Sequence, residues 1–505
     1  MNKKIISAIL FSLAFGACTD LNETLFDKVS MDDYGKTSGE IQTIVSAAYV
    51  TLRGYGSGTS EGNGVNCYPT CEYVFFLDEC VSDEACIPTR GTDWYDQGRY
   101  QEAHYHTLST SNQMVLGAWR YSFIGVSKVN AIIYQVEESE LSAESKAKVT
   151  AELRGLRAYY YWQLLDKFGN VPIVTDFTST DLPTTSSRQE VFAFVESELL
   201  DILPILPDGE QYGRFTQNVG YTLLARLYLN AEVYTSTARW NDCLSACEKV
   251  SGYSLTSYFN NFNIANETSP EIIFVIPYDH KQGTVGNYLA SMTYHYNQKL
   301  AFDPEGVYQW CGNGICAQPG VYSSFEETDI RRKSLLIGQQ KKAKDGSDVL
   351  MDNGEPLNYT EDIIDYTNAL QNEGARLNKY EWSATDSWER DNDWVLMRYA
   401  EVLLMQAECN YRLGYPDAGL PYINQVRTRA GLTELTSLTE EALDKEWLHE
   451  FVFEGLRRTV NIRFGTFFKA WWQKNAESDK HSGLYPIPQE ERDKNPNLTQ
   501  NPGYK

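Results

Sequence analysis

Positive charge is scarce in this chain of 505 residues. It carries 44 Lys and Arg residues against 68 Asp and Glu residues, for a formal net charge of −24 at pH 7. A polyanion of this size repels nucleic acid and gains nothing from anionic lipid headgroups. We therefore expect no nucleic-acid partner and a ligand that is neutral or weakly charged.

Recognisable catalytic and metal-binding motifs are also lacking. The sequence contains no Cys-x-x-Cys, Walker or His-Glu-x-x-His motif. With so many acidic residues, pairs of carboxylates at the spacing of a glycosidase arise by chance and predict nothing. His104 and His106 could form half a metal site, but no third ligand is evident. We predict no enzyme activity, no catalytic residue, no metal site and no cofactor. A structural calcium ion would suit so acidic a protein, yet no ligands can be named for it.

Long hydrophobic runs are missing after the N-terminus, where one short run occurs. Two lysines precede the apolar stretch Ile5 to Phe15, and Gly16-Ala17-Cys18 follows. This order is typical of a secretory signal peptide at 1–17, and the run is about half the ~20 residues of a membrane span. Cys18 resembles the lipidated residue of a bacterial lipobox, acylated for instance with palmitate. The alternative is ordinary secretion with Cys18 unmodified. Cleavage would change the net charge to −26, so the acyl chains would provide the attachment.

The cysteines fit an exported protein without defining its disulfides. Of ten cysteines, nine remain after Cys18 is set aside, so at least one is free or pairs outside the chain. Neighbours in sequence could form disulfides; these are Cys67, Cys71, Cys80 and Cys86, and Cys311 with Cys316. Cys243 and Cys247 lie four apart on a predicted helix, too far from each other to bond.

Apolar periodicity predicts a mainly α-helical protein. Leu153, Leu156, Tyr160 and Leu164 follow helical spacing, and Ser187 with Glu190 forms a capping box. Further helices are predicted over 221–234 and 241–250, and another after a cap at Thr439. Within 394–430 two are predicted, one along an apolar stripe that begins at Leu396 and Ala400 and ends at Gly414, and a second through Arg427. The pairs near 221–250 and 394–430 have the ~34-residue period of tetratricopeptide repeats. The best strand is Glu271 to Pro277, and Asn170 to Val174 is a weak second.

The segments between the predicted helices indicate how the chain is divided into domains. No Pro/Gly/Ser-rich linker divides the chain, so we predict one domain over 18–505. Regions 54–112 and 278–393 are predicted to be long inserted loops, and their Trp and Tyr content indicates a functional surface.

Several segments together resemble the SusD/RagB family of outer-membrane nutrient-binding lipoproteins. The similar segments keep the family's order along the chain and are Ala151 to Val174, Thr222 to Ala231, Arg398 to Glu408, Asn424 to Gly431, Trp447 to Arg458, Leu484 to Gln489 and Gln500 to Tyr504. The resemblance implies a tetratricopeptide-like scaffold with an irregular ligand-binding face. It also implies a glycan ligand, a lipid anchor on the cell-surface side of the outer membrane, and a SusC-like TonB-dependent transporter as partner. Asp20 and Glu23 resemble the signal that sends such lipoproteins to the cell exterior.

Two aromatic segments are candidates for sugar binding, because sugars present apolar C–H faces edged with hydroxyls. In Asp83 to Tyr100, a segment that matches the family's N-terminal ligand region, Trp94 and Tyr95 are candidate platforms, and Asp83 and Arg90 are candidate polar partners. Tyr294 to Trp310 falls where the family places its other aromatic contribution. It offers Tyr294, Tyr296, Tyr308 and Trp310. Trp471 and Trp472 are interpreted as core or transporter-facing residues.

The purely structural alternatives are a Trp that packs its loop against the rest of the protein, and a surface ion pair at Asp83 or Arg90. For the whole protein, the alternative function is a peptide-binding or purely structural lid on the same kind of transporter, since the family includes peptide-handling members. A hydrolase is the third hypothesis. Neither the glycan nor its linkage can be read from the sequence.

Overall fold

The structure is a computed structural model that describes residues 37–69, 72–209, 211–279, 287, 289–305, 310–382 and 390–505. The predicted signal peptide, Cys18, Asp20 and Glu23 lie outside the described residues, as do Cys71 and Tyr308. Within the described ranges, no helix combines the length and the apolar character needed to span a bilayer.

Helices form most of the regular structure. The α-helices of the described residues are α1 (Ser38–Val50), α2 (Tyr73–Glu79), α3 (Arg99–His104), α4 (Gln113–Glu138), α5 (Ala143–Lys167), α6 (Arg188–Ile202), α7 (Gln217–Leu229), α8 (Ala231–Thr235), α9 (Trp240–Cys247), α10 (Leu289–Thr293), α11 (Lys299–Phe302), α12 (Val321–Ser324), α13 (Tyr399–Arg412), α14 (Pro416–Arg429), α15 (Glu440–Phe451), α16 (Arg457–Phe464) and α17 (Gln489–Lys494).

Strands are short and pair across long stretches of chain. The antiparallel pairs are β1 (Ala85–Cys86) with β3 (Cys316–Ala317), β2 (Ile272–Ile276) with β8 (Trp394–Arg398), β4 (Leu335–Leu336) with β7 (Arg376–Leu377), and β5 (Gly338–Gln339) with β6 (Asn358–Tyr359). The β1–β3 pair joins the two loop regions, the β2–β8 pair leads directly into α13, and the other two pairs lie within region 278–393.

Local capping explains where several helices begin and end. Ser187 and Glu190 form the predicted capping box at the start of α6, with both reciprocal hydrogen bonds present. The Thr439 hydroxyl accepts a 3.1 Å hydrogen bond from the Ala442 N–H at the start of α15. Gly169, two residues after α5, adopts φ +68°, a left-handed conformation that suits glycine after a helix.

Helices that are close in sequence pack against one another, which confirms the mainly α, tetratricopeptide-like prediction. α4 packs on α5, α5 on α6, α7 on α9, and α13 on α14, while α9 also packs on α13. Each helix thus buries its apolar stripe against its neighbours in the chain, as stacked helical repeats do. One large hydrophobic cluster runs through these helices and β2.

Two local predictions differ from the structure, one in where a helix begins and one in the extent of a weak strand. The apolar stripe starting at Leu396 was assigned to a helix, but Leu396 lies in β8 and the helix begins at Tyr399. The reason is long-range, because β8 pairs with β2 through Val395 opposite Val275 and Trp394 opposite Ile276. The weak strand over 170–174 is reduced to one bridge between Val171 and Ser186.

The inserted regions are irregular without being structureless. Region 54–112 contains α2, β1 and α3, and region 278–393 contains α10 to α12 and β3 to β7. The cysteines whose closeness in sequence left disulfides open are free thiols in the structure, and all are buried: Cys67, Cys80, Cys86, Cys311 and Cys316. Cys243 and Cys247 are also free, as expected for two positions on one helix.

A buried ion network holds the loop regions to the helical frame. The Arg398 guanidinium is fully buried and contacts Glu271 at 2.9 Å, Glu454 at 2.7 Å and Glu450. Arg331 bonds Glu450 at 2.9 Å. These groups come from β8, the residue before β2, α15 and the residues just after it, and a 3-10 helix after α12. Removing one of them therefore leaves a buried charge undercompensated.

Candidate functional site

The segment that carries Trp94 is a tight turn with an unusual backbone. Arg90 and Asp93 exchange backbone hydrogen bonds of 3.0 and 3.1 Å across Gly91 and Thr92. Trp94 then adopts φ +61°, in the left-handed region that a bulky residue rarely enters. Such strain of about 1–3 kcal/mol persists only where surrounding contacts enforce it, and it clusters at ligand-binding sites.

The contact that enforces this conformation comes from a glycine-rich loop far away in sequence. The indole Nε1–H of Trp94 donates a 2.6 Å hydrogen bond to the carbonyl oxygen of Gly312. The loop itself is anchored on α10, because the Asn313 N–H donates to the Tyr294 carbonyl at 2.9 Å and the Gly314 N–H to the Met292 carbonyl at 2.8 Å.

Glycine at this loop lets both indoles approach the backbone. A Cβ placed on Gly312 would lie 2.6 Å from the Trp310 ring and 3.1 Å from the Trp94 ring. A Cβ on Gly314 would lie 2.5 Å from the Trp94 ring. Separations of 2.5 and 2.6 Å are shorter than real Cβ contacts, and 3.1 Å is tighter than most, so each indole lies directly against the loop. The structure thus brings Trp94 and Trp310 together around Gly312.

Trp94, Tyr95, Tyr296 and Trp310 form what we call the aromatic patch. Trp310 is 43% exposed and Tyr95 is 54% exposed, while Trp94 and Tyr296 are half-buried. The Tyr296 hydroxyl donates to the Asp93 carboxylate, which ties the second predicted segment to the first. Burial and this hydrogen bond raise the pKa of Tyr296, so the hydroxyl stays protonated. Asp93 and Asp96 are exposed beside the rings and can accept hydrogen bonds from hydroxyls.

The structure places two of the predicted polar partners in internal contacts. Both carboxylate oxygens of Asp83 accept hydrogen bonds from Arg457, at 2.7 and 2.8 Å. Burial alone would raise the pKa of Asp83, but Arg457 outweighs it and the pKa is lowered. Arg457 also bonds Asp444 at 2.7 Å, so Asp83 belongs to an ion-pair cluster on α15 and α16. The ion-pair interpretation therefore describes Asp83 better than a ligand contact does.

Arg90 is buried and hydrogen-bonds to the backbone of the segments that carry the patch. Its guanidinium donates to three backbone carbonyls, those of Asn313 at 2.9 Å, Glu373 at 2.8 Å and Leu370. With 5% of its surface exposed, it is covered by the protein. Arg90 therefore positions the glycine-rich loop, and in this structure it does not face a ligand.

Tyr294, a candidate binding residue of the second segment, lies in the interior of the protein. Tyr294 is 1% exposed, packs against Phe302 at a centroid distance of 5.1 Å, and donates its hydroxyl to Asn378 at 2.9 Å. The small apolar cluster around it also buries Cys311. Tyr296, two residues further along the chain and past the end of α10 at Thr293, is only half-buried.

Sequence reasoning missed the residues that build the patch without forming its surface. Gly312, Asn313 and Gly314 position both indoles, and the Cys-Gly-Asn-Gly-Ile-Cys pattern was the available signal. It also missed Trp382, a half-buried indole whose ring lies 4.0 Å from the Arg390 guanidinium and 5.8 Å from the Tyr294 ring. Three tryptophans close together in 379–394 were the signal there.

His104 and His106 are buried and make hydrogen bonds inside the protein. The His104 Nε2 lies 3.1 Å from the Trp472 carbonyl and the His106 Nε2 lies 2.8 Å from the Val81 carbonyl. Burial lowers the pKa of His104 to about 4 and that of His106 to about 3. The Trp471 ring packs 4.7 Å from His106. In the described part of the chain, no three His, Cys, Asp or Glu residues are grouped as a metal site requires.

A sizeable cavity lies away from the aromatic patch. It measures about 1040 Å³ and is lined by segment 253–257, Tyr399 and helix α14. Volume alone does not indicate a sugar site, because a sugar ring stacks on an open aromatic face with polar groups at its edge. The aromatic patch has those features, so we place the candidate site there.

Comparison with known proteins gives the chain its family. One family model, described as the SusD family, matches residues 270–504, and another, described as starch-binding associating with outer membrane, matches residues 82–229. The chain belongs to the SusD family. The two matched segments contribute one indole each to the aromatic patch, which therefore forms where both parts of this SusD chain meet.

Relatives and solved structures support the same assignment. The chain is 28% identical over 477 residues to the starch-binding protein SusD of Bacteroides thetaiotaomicron, covering 83% of this chain and 84% of that protein. The structure of surface glycan-binding protein A from the same organism, in complex with laminarihexaose, superposes with a TM-score of 0.73 at 24% identity, over 92% of this chain and 100% of that chain. Surface glycan-binding protein A from Bacteroides uniformis gives 0.73 at 21% identity, over 92% and 99%. These likenesses confirm the fold.

Proposed function

We propose that this protein binds an oligosaccharide or polysaccharide at the cell surface through the aromatic patch and delivers it to a SusC-like TonB-dependent transporter. The observation that carries the proposal is the pair of indoles that both lie against Gly312, one of them 43% exposed. Two relatives support the ligand class, since one is named a starch-binding protein and another was solved with laminarihexaose.

The patch suits weak capture. Covering one ring with a sugar removes roughly 50–100 Å² of apolar surface, worth roughly 1–2.5 kcal/mol per ring. After the cost of ordering the ligand, two or three rings give about millimolar to micromolar affinity. A ligand held at that strength dissociates fast enough to be passed on. The net charge of −24 favours a neutral glycan over a sulfated or phosphorylated one.

The remaining parts of the proposal concern location and chemistry. Residues 1–17 act as a signal peptide, Cys18 carries the lipid, and 18–505 form one domain on the outer face of the outer membrane. The protein has no catalytic role and no resident cofactor. Replacing Cys18 with Ala should release the protein from the membrane fraction, and a protein that stays attached would contradict the anchor.

Affinity electrophoresis through gels that contain starch, laminarin or other polysaccharides tests the ligand assignment. We expect one glycan to retard the protein, Trp94→Ala and Trp310→Ala each to reduce the retardation, and the double variant to abolish it. Tyr415→Ala is the matched control, because Tyr415 is 65% exposed before α14 and outside the patch. Thermal melts of all variants verify that they fold.

Other outcomes would count against the proposal. Retardation that survives the double substitution would place the glycan elsewhere. Absence of retardation in every gel, together with peptide binding in a calorimeter, would favour a peptide-binding lid. Reducing sugar released from a bound glycan would make the protein a hydrolase.

A further inference from the structure

Cys86 and Cys316 face each other across the strand pair that lies under the aromatic patch. They are direct partners in the β1–β3 register, and their sulfur atoms are 3.9 Å apart. Both are thiols in the structure, and both side chains are buried. They come from different halves of the chain, so sequence spacing did not indicate them as a pair.

The backbone already suits a covalent bond between them. Directly paired residues of antiparallel strands have Cα atoms about 4.5–5.5 Å apart, inside the roughly 4.4–6.8 Å that disulfides require. Rotation of the two side chains is enough to bring the sulfur atoms to about 2.05 Å. Cys243 and Cys247 differ in this respect, because both lie on α9, where residues four apart keep their Cβ atoms farther apart than a disulfide allows.

The surroundings of Cys316 favour the reactive thiolate. An Arg90 Nη2–H donates to the Cys316 sulfur at 3.5 Å. Burial alone would raise the pKa of Cys316, but the Cys86 thiol and the Arg90 and Arg376 guanidiniums outweigh it and lower the pKa to about 6. A thiolate is the nucleophile in thiol–disulfide exchange.

We propose that Cys86 and Cys316 are joined by a disulfide in the exported protein, formed while β1 and β3 pair during folding. The oxidant is a disulfide carrier, either a dithiol oxidoreductase in its disulfide form or a small-molecule disulfide. The Cys316 thiolate attacks one carrier sulfur and releases the other as a thiolate. Cys86 gives its proton to the released carrier thiolate and attacks the Cys316 sulfur, which forms the protein disulfide and releases the second carrier sulfur as a thiolate. The carrier gains the two electrons that the two cysteines lose.

This bond would fasten the two sides of the candidate site to each other. Arg90 and Trp94 follow Cys86 in the chain, and Gly312 and Gly314 precede Cys316. A link at the base of both segments limits how far the indoles can separate, which reduces the ordering cost of ligand binding. This consequence for binding rests on the proposed function, whereas the bond itself does not.

Peptide mapping decides whether the bond exists. The full chain, exported with its own N-terminus, is denatured with an alkylating reagent and no reductant, then digested and analysed by mass spectrometry. We expect the Cys86 and Cys316 peptides as one linked species and alkylated Cys80, Cys243 and Cys409. Cys86 and Cys316 recovered as separate alkylated peptides would overturn the proposal, and so would a bond from either one to Cys80 or Cys311.

Thermal unfolding gives a second readout. Reduction of the wild-type protein should lower its Tm by about 5 °C or more, because the bond closes a loop of 230 residues. The double variant Cys86→Ser/Cys316→Ser should not respond to reductant, and the control Cys80→Ser should respond like the wild type. Equal Tm values for the oxidised and reduced wild type would also overturn the proposal.

A binding measurement keeps the two proposals distinguishable. With the glycan that retards the protein, we expect reduction to weaken retardation about two- to five-fold. A linked peptide without any glycan retardation would sink the proposed function and leave the disulfide standing. Glycan retardation with both cysteines alkylated would overturn the disulfide and leave the proposed function standing.

Discussion

The Trp94 indole N–H donates a 2.6 Å hydrogen bond to the carbonyl oxygen of Gly312, a residue 218 positions later in the chain. The bond fixes the plane of the indole and satisfies its only polar group. It also holds the loop against which Trp310 lies. The candidate site is therefore one unit built from two distant segments, and a change on either side should disturb both.

The first prediction concerns Gly314, whose replacement should move the Trp94 indole. In Gly314→Ala the added methyl group would lie 2.5 Å from the ring, so the ring must shift. We expect about five-fold weaker glycan retardation and a loss of stability of about 1–3 kcal/mol from overpacking. Affinity gels and denaturant melts measure the two effects. Gly58→Ala is the control, because a Cβ at Gly58 meets open space and its φ is not in the left-handed region. Full retardation in Gly314→Ala would mean that the indole position is unimportant.

The second prediction concerns Arg90, which should act as a positioning residue. Arg90→Met keeps the length of the side chain but leaves the carbonyl oxygens of Asn313, Leu370 and Glu373 without this donor. Unpaired buried acceptors cost about 1–3 kcal/mol each. We expect a marked fall in the free energy of unfolding together with weaker glycan retardation. Weaker binding with unchanged stability would instead indicate a direct ligand contact.

The third prediction separates Asp83 from the ligand. Asp83→Asn keeps the shape of the side chain but weakens the ion pair with Arg457. We expect unchanged retardation in glycan gels, because the structure engages both Asp83 oxygens with Arg457. The partly exposed ion pair should cost about 0.5–1 kcal/mol in urea melts. A loss of retardation comparable to that of Trp94→Ala would restore Asp83 to the site.

The fourth prediction concerns the buried ion network at Glu450. Burial opposes ionisation of this carboxyl, but Arg429, Arg398 and Arg331 hold its pKa far below the usual range. Glu450→Gln leaves those guanidiniums undercompensated and should reduce stability by about 3–5 kcal/mol. Glu440→Gln is the control, since Glu440 is exposed in the first turn of the same helix. Equal melting midpoints would show that the network is not a major source of stability.

The fifth prediction is a pH dependence caused by a buried carboxyl pair. Burial raises the pKa of Glu79 and of Glu84, the latter to about 7, and the two groups contact each other. Between the ordinary carboxyl pKa and this raised value, the folded state binds more protons than the unfolded state. Stability should therefore fall as pH rises from about 5 to about 8. Glu84→Gln should flatten part of this slope, as measured by urea melts across that range. A slope unchanged in Glu84→Gln would contradict this assignment.

Local sequence determined the helical frame. Ser187 and Glu190 lie three residues apart and cap α6 without help from the rest of the chain. The apolar spacing in 153–164 specified a helix, because helical hydrogen bonds join residues that are near in sequence. The recurring helix pairs then indicated repeat packing, and several ordered segments indicated the SusD family.

Tertiary structure alone decided the details of the site and some element boundaries. Leu396 fits a helical stripe, yet β2 captures its segment as a strand. Tyr294 and Tyr296 are two residues apart with similar chemistry, and only the packing around α10 makes one buried and the other half-exposed. The left-handed backbone of Trp94 and its contact with Gly312 depend on a loop 218 residues away. Composition and periodicity report the preferences of neighbouring residues, whereas these features arise from contacts that exist only after distant segments have come together.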